Sequence, residues 1–168
     1  MENLILIGMP SSGKSTVGKR LAMQIGFGFI DSDCIIEGEE GEPLSVIISR
    51  VGSEGFIKIE ERVNAGLSCM HCVIATGGSV VYGERAMARL KNLGTVVYLK
   101  IAKEEVVSRI PSFQKRGVVM RGNISSLSEL YDERAPLYER YADRTVDCNG
   151  QTVEETVNAV LCALSAER

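Results

Sequence analysis

The chain has 168 residues, 45% of them apolar and 24% charged, with a formal net charge of −3. That length suits a single domain with its own core, and the composition excludes collagen-like repeats, low-complexity architecture and general disorder. No excess of Lys and Arg is available to neutralise a phosphate backbone, so nucleic acid is not an expected partner.

The first apolar run, residues 4–7, predicts a buried strand. It is far shorter than a signal-peptide core or a membrane-spanning helix, so a cytoplasmic protein with no membrane partner is expected. Further strands are predicted at 29–30, 73–75, 96–99 and 145–146. Segments of helical period lie between them, near 14–25, 44–51, 53–68, 84–92, 103–109, 126–141 and 153–165. The last carries Val153, Val157, Val160, Leu161 and Leu164 on one stripe. Short apolar runs alternating with amphipathic segments predict a three-layer α/β domain, a parallel sheet wrapped by helices. No Pro-, Gly- or Ser-rich linker divides the chain, and residues 1–168 read as one domain. The stretch 106–128 has no Asp or Glu but contains Arg109, Lys115, Arg116 and Arg121, with Pro111, Gly117 and Gly122 breaking its period. It predicts a mobile basic loop, a lid over about 111–124.

Five cysteines, Cys34, Cys69, Cys72, Cys148 and Cys162, form an odd set without framework spacing, as expected of a reducing compartment. Cys69-Met70-His71-Cys72 lacks the second ligand pair that a structural zinc site needs. It reads instead as a helix ending near Cys69 and a buried strand starting near Cys72.

Three motifs carry chemistry. Gly8-Met9-Pro10-Ser11-Ser12-Gly13-Lys14-Ser15 matches G-x-x-x-x-G-K-[ST], followed by Thr16, between a predicted strand and a predicted helix. Gly8 and Gly13 let the backbone curl so that its N–H groups face phosphates at a helix N-terminus. Lys14 then reaches the β- and γ-phosphates, and the Ser15 hydroxyl can ligate Mg²⁺. Asp31-Ser32-Asp33 ends the second strand. Read as extended chain, it puts both carboxylates on one face of the crevice, one for the Mg²⁺ shell and the other for an acceptor hydroxyl and its proton. Thr76-Gly77-Gly78-Ser79 closes the third strand, where two glycines let backbone N–H groups approach a ligand.

Together with E-R-A-P-L-Y-E-R-Y-A-D and V-D-C-N-G-Q-T-V-E-E-T-V, these motifs resemble the shikimate kinase family, small P-loop kinases related to nucleoside monophosphate and gluconate kinases. The resemblance spans nearly the whole chain. It implies a five-stranded parallel sheet, ATP and Mg²⁺ at the phosphate loop, and transfer of the γ-phosphoryl group to the 3-hydroxyl of shikimate. By that resemblance Gly8, Ser11, Ser12, Gly13, Lys14, Ser15 and Thr16 hold the nucleotide, and Ser15 and Asp31 serve Mg²⁺. It likewise implies that Asp33 holds acceptor hydroxyls, Gly77 and Gly78 offer backbone donors, and Arg134 binds the acceptor carboxylate. Arg116 resembles the lid arginine, and Arg109 with Asn149-Gly150-Gln151 resembles an adenine clamp. The chain departs from the family pattern at two positions of the acceptor side. Ile57 stands where the family's G-E-x-x-F-R-x-x-E has arginine, and Ser79 replaces the third glycine of Gly-Gly-Gly. The lid also differs, reading Arg116-Gly117-Val118-Val119 in a shorter loop. The expected activity is a monomeric ATP-dependent kinase of a small hydroxylated acid. The alternatives are a kinase of another polyol acid or of a nucleoside monophosphate, and a nucleotide-binding regulator without turnover.

Overall fold

The computed structural model describes residues 2–109 and 117–166. The apolar run near the N-terminus forms β1 (Asn3–Ile7), with all five residues buried. A strand apolar on both faces must be covered on both, so β1 lies at the centre of the sheet. The order is β2-β3-β1-β4-β5, every pair parallel, with β2 Gly28–Asp31, β3 Cys72–Ala75, β4 Gly94–Lys100 and β5 Arg144–Asp147. In register, Ile5 faces Ile74 on one side and Val96 on the other.

The connections are α1 (Lys14–Ile25), α2 (Ser32–Glu40), α3 (Leu44–Gly66), α4 (Glu84–Leu93), α5 (Lys103–Arg109), α6 (Leu127–Tyr141) and α7 (Val153–Ser165). Helix α1 packs on α7, and α3 on α4. The expected break between two helices at residue 52 is a single interruption of α3, where Gly52 takes φ 72° and ψ 174°. Residues Val80–Tyr82 form a 3₁₀ turn that periodicity did not predict.

One reading is corrected by α2. Asp31-Ser32-Asp33 is not an extended segment. Asp31 ends β2 and is the N-cap of α2, its Oδ1 accepting from the Asp33 N–H at 3.1 Å, and Asp33 lies in the first helical turn. A carboxylate that satisfies an orphan helix N–H favours helix over continued strand.

Two apolar clusters result. The larger surrounds the sheet, and a smaller one gathers Ile36, Ile47, Phe56, Ile57, Val63 and Val119 beneath the acceptor-side helices. At the amino ends of the strands Asn3 is buried. Its Nδ2 donates to the Cys69 and Leu93 carbonyls at 2.9 and 3.0 Å, and its Oδ1 accepts from the Cys72 N–H at 2.9 Å. All five cysteines are free. No described helix is long and apolar enough to cross a membrane.

Candidate active site

In a parallel sheet the loops at the carboxyl ends of neighbouring strands converge where crossovers leave in opposite directions. Here the loops after β1 and β3 meet in a cavity of about 310 Å³ whose wall includes Lys14, Asp33, Glu60, Gly77, Gly78 and Arg134. Gly117, Val118 and Val119 close another side.

The loop after β1 is tightly curled. Gly8 has φ 148°, and a Cβ there would lie 2.7 Å from the Leu99 carbonyl oxygen, so no side chain fits. Ser11 and Gly13 also take positive φ. Lys14 is buried and its Nζ donates to the Gly8 and Met9 carbonyls, both at 2.8 Å, bracing the loop from inside. Burial lowers its pKa to about 8, against the attraction of Asp33. At the next residue, the exposed Ser15 hydroxyl donates to Asp31 Oδ2 at 2.6 Å, which unites the two expected Mg²⁺ ligands. Thr16 is exposed beside it, and Ser12 is buried within the loop, its N–H donating to the Met9 carbonyl at 3.1 Å.

Across the cavity Asp33 is half-buried, and burial, reinforced by Asp31, raises its pKa to about 6. Ser32, buried between the two acids, accepts from the Gly77 N–H at 3.3 Å. Thus one of the two expected backbone donors is engaged by the motif itself. Arg134 is 1% exposed. Its Nε donates to the Tyr82 hydroxyl at 3.1 Å, its Nη2 to the Val119 carbonyl at 2.7 Å, and its guanidinium lies over the Tyr82 ring. Neither Arg134 nor Glu60 belongs to an ion pair among the described residues. Four residues on from Arg134, the Tyr138 hydroxyl donates to the Gly78 carbonyl at 2.5 Å, and its ring stacks on Tyr98 at 5.0 Å. The R-x-P-L-Y element therefore supplies both a cation and a brace for the glycine turn.

Glu60 was not singled out by sequence reading. It is 1% exposed, and its Oε2 accepts from the Ser79 hydroxyl at 2.5 Å while its Oε1 has no partner. Burial raises its pKa to about 8. The available signal was the final acid of the family's G-E-x-x-F-R-x-x-E pattern, which this chain keeps at Glu60, four residues after Phe56. Ile57 itself packs into the smaller apolar cluster. Lys58 is exposed, and Arg62 pairs outward with Glu39 and Glu40 at 2.7 and 3.1 Å, so neither supplies the missing cation.

Arg109, Asn149 and Gln151 do not line this cavity. Arg109 reaches the phosphate loop, donating to the Ser11 carbonyl at 3.2 Å and to Glu105. Asn149 Oδ1 accepts from the Ala102 N–H, and Gln151 Oε1 from the Thr156 hydroxyl at 3.3 Å. The expected lid arginine, Arg116, lies outside the described residues.

Comparison with known proteins agrees with this geometry. Residues 10–165 match the family model described as shikimate kinase. A shikimate kinase of Vibrio parahaemolyticus is 37% identical over 161 residues, covering 95% of this chain and 94% of that one. Among solved structures, a shikimate kinase from Acinetobacter baumannii in complex with shikimate is 30% identical, with a TM-score of 0.89 over 99% of this chain and 95% of that one. One from Aquifex aeolicus is also 30% identical, with a TM-score of 0.81 over 97% and 96% of the two chains. Phosphate loop, capped acid pair, glycine turn and buried arginine thus stand on a scaffold matched from end to end, and the chain belongs to the shikimate kinase family.

Proposed function

We propose that this chain transfers the γ-phosphoryl group of ATP to a hydroxyl of shikimate, giving shikimate 3-phosphate and ADP. The observation that carries the acceptor's chemistry is Arg134. A guanidinium buried without a carboxylate partner is costly unless an anion arrives to meet it, and this one flanks the cavity wall at Gly78. An acceptor with a carboxylate at one end and hydroxyls at the other fits a cavity with Arg134 on one side and Asp33 on another. In transfer, the acceptor oxygen attacks the γ-phosphorus, the bond to the β-phosphate oxygen breaks, and Asp33 orients the hydroxyl and takes its proton. Lys14 follows charge from the γ- to the β-phosphate as ADP leaves. A hydroxyl and a carboxylate 2.6 Å apart at the foot of the phosphate loop are hard oxygen donors suited to Mg²⁺, and Ser15 and Asp31 are the residues that would hold it. When bound, that ion neutralises charge on the β- and γ-phosphates. Arg109, Asn149 and Gln151 belong to the adenine side in this reading, Arg116 to the lid, and the protein acts as a cytoplasmic monomer.

The test is an ADP-coupled assay with Mg²⁺ and ATP against shikimate, gluconate and nucleoside monophosphates at matched concentrations. Saturable turnover with shikimate alone is expected. Shikimate inert at millimolar concentration, with another acceptor turned over, overturns the acceptor and leaves the phosphoryl-transfer reading. Arg134→Ala should nearly abolish use of the acid while ATP binding survives.

A further inference from the structure

Arg134 meets the cavity at the end of a long side chain with many rotamers, so the groups that fix its guanidinium decide which part of it a ligand meets. Two of its nitrogens are committed, Nε to the Tyr82 hydroxyl at 3.1 Å and Nη2 to the Val119 carbonyl at 2.7 Å. The third, Nη1, lies against the glycine turn on the cavity wall, 3.0 Å from where a Cβ on Gly78 would stand. Tyr82 restrains the cation twice, by the directional bond at Nε and by its ring, whose centroid is 5.1 Å from the guanidinium carbon. Tyr82 itself does not line the cavity, so it touches a ligand only through Arg134.

Tyr82 is held in its turn. It closes the 3₁₀ turn Val80–Tyr82, its N–H donating to the Ser79 carbonyl at 3.0 Å, and its hydroxyl donates to Glu133 Oε2. Glu133 directly precedes Arg134 on α6, yet the two form no ion pair among the described residues. The negative charge of Glu133 therefore acts on the buried guanidinium through the phenol, which accepts from Nε more strongly because its own proton is drawn toward the acid. The guanidinium of Arg121 lies over the same ring at 4.8 Å while its Nε pairs with Glu54 at 3.2 Å. The kind of partner matters. A carboxylate bonded directly to Arg134 would compensate its charge and compete with an incoming anion, whereas a hydroxyl and a carbonyl orient the cation and leave its charge available.

Building on the shikimate reading above, we infer that Tyr82 is a positioning residue of the acceptor site. It holds Arg134 by Nε, with its remaining edge beside Gly78 turned to the acceptor's carboxylate, and it does so without neutralising the cation. With Ile57 in place of a second arginine, the acceptor's carboxylate depends on this one guanidinium, and so on what aims it.

The test is initial-rate kinetics with Mg²⁺, ATP and shikimate on Tyr82→Phe, which keeps the ring and removes the hydroxyl. The KM for shikimate should rise about tenfold while kcat and the KM for ATP stay within about twofold, because a charge-assisted bond is lost at the anchor and none at the phosphate loop. A purely structural role would lower Tm and the active fraction, and with them the apparent kcat, and would not move the KM of the molecules that fold. Glu133→Gln keeps the hydroxyl but weakens its polarisation, and should raise the same KM about threefold. An unmoved shikimate KM in Tyr82→Phe, or a rise shared equally by ATP, overturns the inference. If Tyr82→Phe fails to fold, Glu133→Gln decides by the same ratio. Shikimate phosphorylated with an unmoved KM strikes this inference alone, whereas shikimate inert with the unaltered protein overturns the functional reading with it.

Discussion

Lys14 and Glu60 are ionisable groups buried in the cavity wall, where desolvation pushes each toward its neutral form. Lys14 stands where charge builds on the β–γ bridge, so Lys14→Ala should lower turnover by about a thousandfold while weakening ATP binding much less, as an ADP-release assay and calorimetry would show. Asp33→Asn should cost about 10²–10³ in kcat with ATP affinity preserved, since it removes a proton acceptor and leaves a similar shape. Equal losses in ATP binding would move Asp33 into the nucleotide site. Glu60 also bears on stability. It keeps its proton to about 8 in the fold but only to 4.5 as an ordinary carboxyl, so folding takes up a proton between those values. Stability must then fall as pH rises through that window, and Glu60→Gln should flatten this part of a Tm-against-pH curve. Parallel curves for the two proteins would show Glu60 ionised in the fold. Lys14 and Ser15 were legible in the sequence because the spacing of the phosphate-loop motif fixes their places, and Arg134 was read from the resemblance of its segment to the family pattern. Glu60 was not, because a glutamate on a helix is normally solvated, and its burial depends on long-range packing against Ser79 and Gly77.

At the scale of elements, α6 shows how one helix serves the site. Ser126 caps it and Glu129 returns the bond, a reciprocal pair that fixes where the helix begins after residues 117–125. From that start Arg134 and Tyr138 share a face, one turn apart. Tyr138→Phe removes the hydroxyl that holds the Gly78 carbonyl, and should cost about 1 kcal/mol in stability. Because that bond orients the glycine turn, the same variant should raise the KM for the acceptor and leave that for ATP in place, as initial-rate kinetics would show. Strands β1, β3 and β4 were legible as short apolar runs, β2 and β5 only as two-residue signals at 29–30 and 145–146, and Gly52 was visible as a helix break. Helix α2 was not. Its segment carries only Ile35 and Ile36 as large apolar residues, with Gly38 within it, and the acids at its start read equally well as a strand end. The signals were present in Asp31 as a cap and Gly41 as a left-handed stop.

Across the whole molecule the two ends of the sheet do different work. The carboxyl ends of the strands carry the cavity, whose chemistry tolerates strain and buried charge. The amino ends carry Asn3, one amide that satisfies three backbone groups, two in the 69–72 connection and one at the end of α4. Asn3→Ala should cost about 2–4 kcal/mol, several buried polar groups losing their partner at once, with kcat and both KM values unchanged in the folded fraction. Denaturant titration beside steady-state kinetics would test this; altered kinetics would show that the two ends are coupled. If they are separate, selection meets this protein along two independent axes. Changes near the cavity alter how fast each molecule works. Changes around Asn3 alter how many molecules survive chaperones and proteases to work at all, and a cell carrying such a variant would respond to more copies of the gene where a cell with a damaged cavity would not.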